Sequence, residues 1–196
     1  FPYTTLFRSS QLCDAILQVW YGGEQGGQAV ADVLTGRFNP CGKLPVTFYK
    51  DDSQLPDFLD YRMTGRTYRY FKGAPLYPFG FGLSYTSFNI SAPQYANGKV
   101  TCTVKNTGKR EGTEIVQVYM RRTDDVDGPL KTLRAYQRVT LKAGQSQQVE
   151  IDFPRERFEN WDSQTNTMRV VAGEYELLVG TSSANEDLQK ITIQIN

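Results

Sequence analysis

The sequence predicts a mainly β chain: a short strand, turn and helix, then an aromatic connection, then an antiparallel sandwich of about seven strands. Three observations lead there. Between Gln25 and Gly36 the apolar residues recur at helical spacing, whereas from about Phe88 to Asn196 they alternate with a period of two. Between these regions lies GRTYRYFKGAPLYPFGFGLSYTSF (Gly65 to Phe88), with four Tyr, four Phe and two Pro among basic residues and glycines. That stretch is too irregular for one helix or one strand.

Residues 1–10, FPYTTLFRSS, begin without Met and show neither period nor cap; they read as a non-native or boundary segment. Asp14 to Trp20 is a short apolar run closed by Gly22 and Gly23, the pattern of a parallel-sheet strand. From Gln25, Ala29, Val30, Val33 and Leu34 mark one face of a helix, with Glu24 near its positive start and Gly36 as its stop. One strand and one helix cannot bury both their faces, so residues 11–60 read as the end of a larger α/β domain. Asp51, Asp52, Asp57 and Asp60 lie in a loop rich in Pro and Asp and read as turn formers.

Residues 61–87 form the aromatic connection. In RTYRYF an extended strand would put Arg66, Tyr68 and Tyr70 on one face and Thr67, Arg69 and Phe71 on the other, which suits a segment wedged between two bodies. Pro78 fixes a backbone angle and Gly80 and Gly82 permit tight bends, while Tyr77, Phe79, Phe81 and Tyr85 supply large areas for burial. A seam between two folded bodies ranks above an exposed sugar-stacking platform, and both rank above a nucleic-acid surface.

Residues 88–196 then read as the sandwich. KVTCTVKN turns Val100, Cys102 and Val104 to one face; QQVEIDF, GEYELLVG and QKITIQI do the same with Val149, Ile151 and Phe153, with Tyr175, Leu177 and Val179, and with Ile191, Ile193 and Ile195. TEIVQVYMR and LRAYQRVTL add two strands and a weaker one starts near Phe88. Turn signals such as NTGKREG, DDVDGP and LKAGQ separate them, giving the count of an immunoglobulin or fibronectin type III-like sandwich.

Composition narrows the function. A net charge of +1 leaves no field to gather nucleic acid or an anionic membrane, and no apolar run is long enough to cross a bilayer. The chain has no His, and its three cysteines, Cys13, Cys41 and Cys102, are far apart. The usual zinc sets and any Ser/His or Cys/His catalytic pair are therefore absent, and no cofactor or metal is expected.

The stretches GGEQGGQAVADVLTGRFNPCGKLPVTFYK, LPDFLDYRMTGRTYRYF and LYPFGFGLSYTSF, followed by NTGKREGTEIVQVYM, GPLKTLRAYQRVTLKAGQ and VVAGEYELLVGTSS, resemble the C-terminal part of glycoside hydrolase family 3. Cys41 departs from the family's usual Ser. The resemblance implies a fibronectin type III-like sandwich preceded by the truncated end of an α/β sandwich domain. It also implies a retaining exo-β-glycosidase, in which two carboxylates about 5 Å apart flank the scissile bond. The family's nucleophile belongs to a barrel domain and its acid/base lies upstream of the Gly-Glu-x-Gly-Gly region, so neither falls on this chain. An oligosaccharide substrate would be met through that missing catalytic domain. Glu24 is the tempting substitute, but it reads better as a carboxylate beside a helix start. Glu24, Arg66, Tyr68, Arg69 and Tyr70 are the candidate residues, at the seam or beside a substrate. The form DYRMTGRTYRYF is closer to the family's β-xylosidase branch than to its β-glucosidases, and a plant-polysaccharide role would place the parent in the periplasm or outside the cell. The competing reading is a non-catalytic binding or structural module.

Overall fold

The computed structural model describes residues 8–162 and 164–196. The boundary segment expected at residues 1–10 lies outside them over residues 1–7; residues 8–12 are helical. Helix α1 spans Gly26–Leu34 and closes where Gly36 takes a φ of 71°, the left-handed conformation that glycine adopts at least cost. None of its residues is buried.

The strand expected from Asp14 to Trp20 does not form. The run is irregular and pairs with no described strand, and Leu17, Val19 and Trp20 are 40%, 49% and 49% exposed. A buried strand needs hydrogen-bonding neighbours on its edges and cover on its faces; among the described residues no strand pairs with this run, and its cover is partial, as where the Trp20 ring meets Phe48 at 6.3 Å.

From Phe88 the chain builds nine strands: β1 (Phe88–Ala96), β2 (Lys99–Asn106), β3 (Gly112–Arg122), β4 (Thr132–Leu141), β5 (Ser146–Asp152), β6 (Glu159–Asp162), β7 (Thr167–Val170), β8 (Gly173–Gly180) and β9 (Leu188–Ile195). Seven of them make two antiparallel sheets, ordered β1-β2-β5 and β4-β3-β8-β9, and β6 and β7 form a separate hairpin. Asn97 and Gly98, with φ of 53° and 73°, make the two-residue turn between β1 and β2. Pro93 sits where the register of β1 shifts, at a sheet edge that tolerates its missing N–H.

The core lies between the two sheets. Val100, Cys102 and Val104 of β2 and Val149 and Ile151 of β5 face Val116, Val118 and Met120 of β3 and Tyr175, Leu177 and Val179 of β8. Burial pushes the Cys102 thiol up to about 11, so this sulfur acts as a small apolar group. Phe153, Phe158, Tyr175 and Tyr95 close one end through edge-on contacts, with ring centroids 5.1 Å apart for Phe153–Phe158 and 5.4 Å for Phe158–Tyr175. On β9, Ile195 is buried, whereas Ile191 and Ile193 are only half-covered.

Candidate functional site

Strand β3 organises the connection between the helical segment and the sandwich. Its Val116, Val118 and Met120 face the core, so Gln117 and Tyr119 must point to the opposite side, where they are nonetheless 3% and 0% exposed. The aromatic stretch covers them. Gln117 donates from Nε2 to the carbonyl of Gly80 at 3.1 Å and to that of Thr181, and accepts on Oε1 from the Tyr119 hydroxyl. The Phe79 ring stacks on Tyr68 at 4.2 Å, and both meet Tyr119 edge-on at 6.4 and 5.8 Å. Desolvation raises the Tyr119 hydroxyl pKa far above its ordinary value, so it stays a proton donor.

The same stretch grips the N-terminal segment. Backbone bonds run from Gly80 to Leu44, from Leu44 to Phe81 and from Phe48 to Tyr77, at 2.8, 2.8 and 2.9 Å. Lys43 reaches the Gly82 carbonyl at 3.1 Å and pairs at 2.8 Å with Glu114 of β3, both side chains being largely buried. Asn39 accepts on Oδ1 from Ser84 and from the Tyr85 N–H while its Nδ2 donates to the Glu111 carbonyl. Tyr85, although 44% exposed, donates from its hydroxyl to the Val33 carbonyl at the end of α1.

RTYRYF is not an extended strand. Thr67–Tyr70 form a single helical turn, α2, closed by the bond from the Phe71 N–H to the Thr67 carbonyl at 2.8 Å. The Tyr49 hydroxyl favours the turn, accepting the Thr67 N–H at 2.9 Å and so satisfying the helix start. The face expected for Arg66, Tyr68 and Tyr70 is therefore broken up. Tyr68 accepts the Leu133 N–H on its hydroxyl at 3.1 Å and the Arg69 carbonyl accepts that of Leu130, so α2 rests on the start of β4. The Arg69 guanidinium lies 5.4 Å from the Tyr70 ring centre, and Tyr70 is half-buried.

Arg66 turns away into the preceding loop. Its guanidinium donates to the carbonyls of Arg62 at 3.1 Å, of Asp57 at 3.4 Å and of Asp60. The turn-forming aspartates act as their sequence predicts: Asp57 accepts the Leu59 N–H at 2.8 Å and Asp60 that of Arg62 at 3.0 Å. Asp60 also pairs side chain to side chain with Arg62, whose hydrogen bonds hold its carboxyl at about 2. This contribution to loop order is complete above the ordinary value of 3.8 and is lost as the pH falls through about 2.

Glu24 is exposed, in the turn before the Gln25 cap rather than within the first turn of α1, and hydrogen-bonds to no described residue. Beside it an apolar cleft of about 820 Å³ opens between Leu17, Val19 and the Ala29, Val30 and Val33 face of α1. That lining contains no carboxylate. A second, polar cleft of about 390 Å³ at the join with the sandwich, between Arg37, Arg110 and Arg138, contains only Glu111. Neither cleft holds the two carboxylates that retaining glycoside hydrolysis requires. No group of acidic, Cys or His side chains among the described residues is arranged to hold a metal.

Sequence reasoning did not single out Gln117 and Tyr119, nor the Lys43–Glu114 pair. The signal for the first two was present: EIVQVYM is apolar or aromatic at both parities, as expected for a strand covered on both faces.

Residues 2–85 match the glycosyl hydrolase family 3 C-terminal domain and residues 114–183 a fibronectin type III-like domain. The chain is 52% identical over 192 residues to a xylan 1,4-beta-xylosidase of Xylanibacter ruminicola, covering 95% of this chain and 22% of that protein. To a periplasmic beta-glucosidase of Salmonella typhimurium it is 38% identical over 200 residues, covering 91% of this chain and 26% of that protein. Among solved structures it superimposes on a beta-glucosidase from Kluyveromyces marxianus with a TM-score of 0.84 at 32% identity, covering 96% of this chain and 25% of that one. A β-glucosidase from Erythrobacter marinus gives 0.81 at 39% identity, covering 96% and 26%. The chain thus spans about a quarter of the length of these relatives. The two domain types are matched in succession along one chain, in the order that the C-terminal motifs of glycoside hydrolase family 3 led to expect.

Proposed function

We propose that this chain is the C-terminal part of a retaining exo-β-glycosidase acting on oligosaccharides from plant polysaccharide, and that the parent is a xylan 1,4-β-xylosidase. The observation that carries the substrate is the 52% identity over 95% of the chain to the Xylanibacter ruminicola xylosidase, against 38% to the Salmonella typhimurium β-glucosidase. A β-glucosidase is the second reading, favoured by the overlay on the Kluyveromyces marxianus and Erythrobacter marinus enzymes. Within the chain, residues 11–60 are the remnant of the α/β domain, 61–87 the connection, with Tyr68, Arg69 and Tyr70 at the seam, and 88–196 the sandwich. The role we assign to this part is structural, since neither of the two clefts described above offers a carboxylate pair among the described residues. Steady-state kinetics of the parent on aryl β-xyloside and aryl β-glucoside decide the substrate: a higher kcat/KM on the xyloside is expected, and the reverse order would reassign it. The purified chain should show no turnover above buffer; turnover abolished by Glu24→Gln would make Glu24 catalytic and refute the structural role.

A further inference from the structure

The turn between β1 and β2 brings together the two groups of an intramolecular reaction and leaves both unbound. Of the eight asparagines in the sequence, Asn97 alone is followed by glycine. The main-chain nitrogen of a following residue can attack an asparagine carboxamide and close an imide ring, and glycine offers the least obstruction because it carries no Cβ. Asn97 is exposed and its side chain hydrogen-bonds to no described residue. The Gly98 N–H is likewise donated to none, since the ladder of β1 and β2 ends at Ala96 and Lys99. The left-handed φ of 53° at Asn97 belongs to the closed turn, and a two-residue tip on the edge of a sheet opens at low cost, which lets the two groups meet.

What the turn holds gives this reaction a consequence. The Gly98 carbonyl accepts the Phe153 N–H at 2.8 Å, and Phe153 is a fully buried ring at the closed end of the core, 5.1 Å from Phe158. We infer that Asn97 is a site of spontaneous deamidation whose isoaspartate product releases this anchor. The Gly98 nitrogen loses its proton as it bonds to the Asn97 Cγ, and ammonia leaves. Water then opens the imide at one carbonyl or the other, giving aspartate or isoaspartate without oxidant or cofactor. Aspartate keeps the chain length and only sets a carboxylate beside Lys99. Isoaspartate routes the main chain through Cβ and Cγ and so lengthens by one carbon a turn built for two residues, which draws the Gly98 carbonyl away from the Phe153 N–H.

This chemistry is independent of the glycosidase reading and is tested on the chain itself. The purified chain is held in mildly alkaline buffer, sampled by peptide mass spectrometry, and its isoaspartate counted by enzymatic methylation. The mass gain of one amide-to-carboxylate conversion is expected at Asn97 before any other asparagine, with isoaspartate among the products. In the isoaspartate form, hydrogen exchange at the Phe153 amide should quicken by about two- to tenfold, the loss of one hydrogen bond. Asn97→Gly removes the carboxamide and tolerates the left-handed backbone, so its Phe153 exchange should be the same before and after incubation. Freshly prepared Asn97→Asp, which adds the charge without lengthening the chain, should exchange there like the unsubstituted protein. Conversion of another asparagine ahead of Asn97 overturns the site, as does a folded chain that never converts at Asn97 while the denatured chain does. Unchanged Phe153 exchange in the isoaspartate form, or equally fast exchange in fresh Asn97→Asp, overturns the release of the anchor.

Discussion

Helix α1 and strand β3 are built from similar apolar residues and end in opposite environments. Val30, Val33 and Leu34 repeat at helical spacing, yet no residue of α1 is buried and Leu34 is 70% exposed. Val116, Val118 and Met120 repeat at strand spacing and are at most 1% exposed, and even the opposite face of β3 is sealed by Phe79 and Gly80. More broadly, among the described residues of 8–60 the only buried apolar side chains are Phe48 and Tyr49, both beside the aromatic connection. Periodicity identifies which face of an element would prefer burial; whether that face is covered depends on what packs against it. The sandwich supplies its own cover, since the core faces of its two large sheets meet each other, whereas the described helical segment leaves a cleft open beside α1.

That difference can be tested by substitutions that should have unequal cost. The largest effect is expected in the sandwich: Phe158→Ala removes a fully buried ring in contact with Phe153, Tyr95 and Tyr175 and should lower stability by about 3–5 kcal/mol in denaturant melts. An effect below 1 kcal/mol on that scale would mean that the core relaxes around the gap. At the connection, Gly80→Ala should cost about 1–3 kcal/mol. Gly80 has a φ of 78°, and an added Cβ would come within 2.1 Å of Gln117 Oε1. Melts in which this variant behaves like the parent chain would show that the connection is not held against β3 in solution. The smallest effect is expected for Leu34→Ala, within about 0.5 kcal/mol, because the side chain leaves little buried area behind. A cost approaching that of Phe158→Ala would show that the α1 face is covered in solution and would erase the contrast.

How much could be read in advance depended on how local the controlling interaction was. The end of α1 at Gly36 follows from a single backbone preference, and the inward faces of β2, β5 and β8 follow from alternation, so both were visible in one short window of sequence. The hairpin of β6 and β7 was not anticipated, because ENWD and TMRV are too short to show a period. RTYRYF alternates as a strand would, but the Tyr49 hydroxyl, distant in sequence, stabilises a helical turn there. Asp14 to Trp20 has the composition of a buried strand, and composition cannot supply the partners a strand needs.

The candidate residues divide in the same way. The aspartate turns at Asp57 and Asp60 are set within two residues, by a carboxylate reaching the N–H just ahead of it, and so could be read from the sequence. That Arg66 belongs to this loop while Tyr68 and Arg69 belong to β4 was decided by the tertiary structure, which placed the start of β4 against α2 and three loop carbonyls within reach of one guanidinium. Local hydrogen bonds and periodicity act over a few residues and leave their mark in sequence order. Which faces become buried, and which charged group meets which carbonyl, depends on chain segments brought together only by folding, and a pattern along one segment carries no record of them.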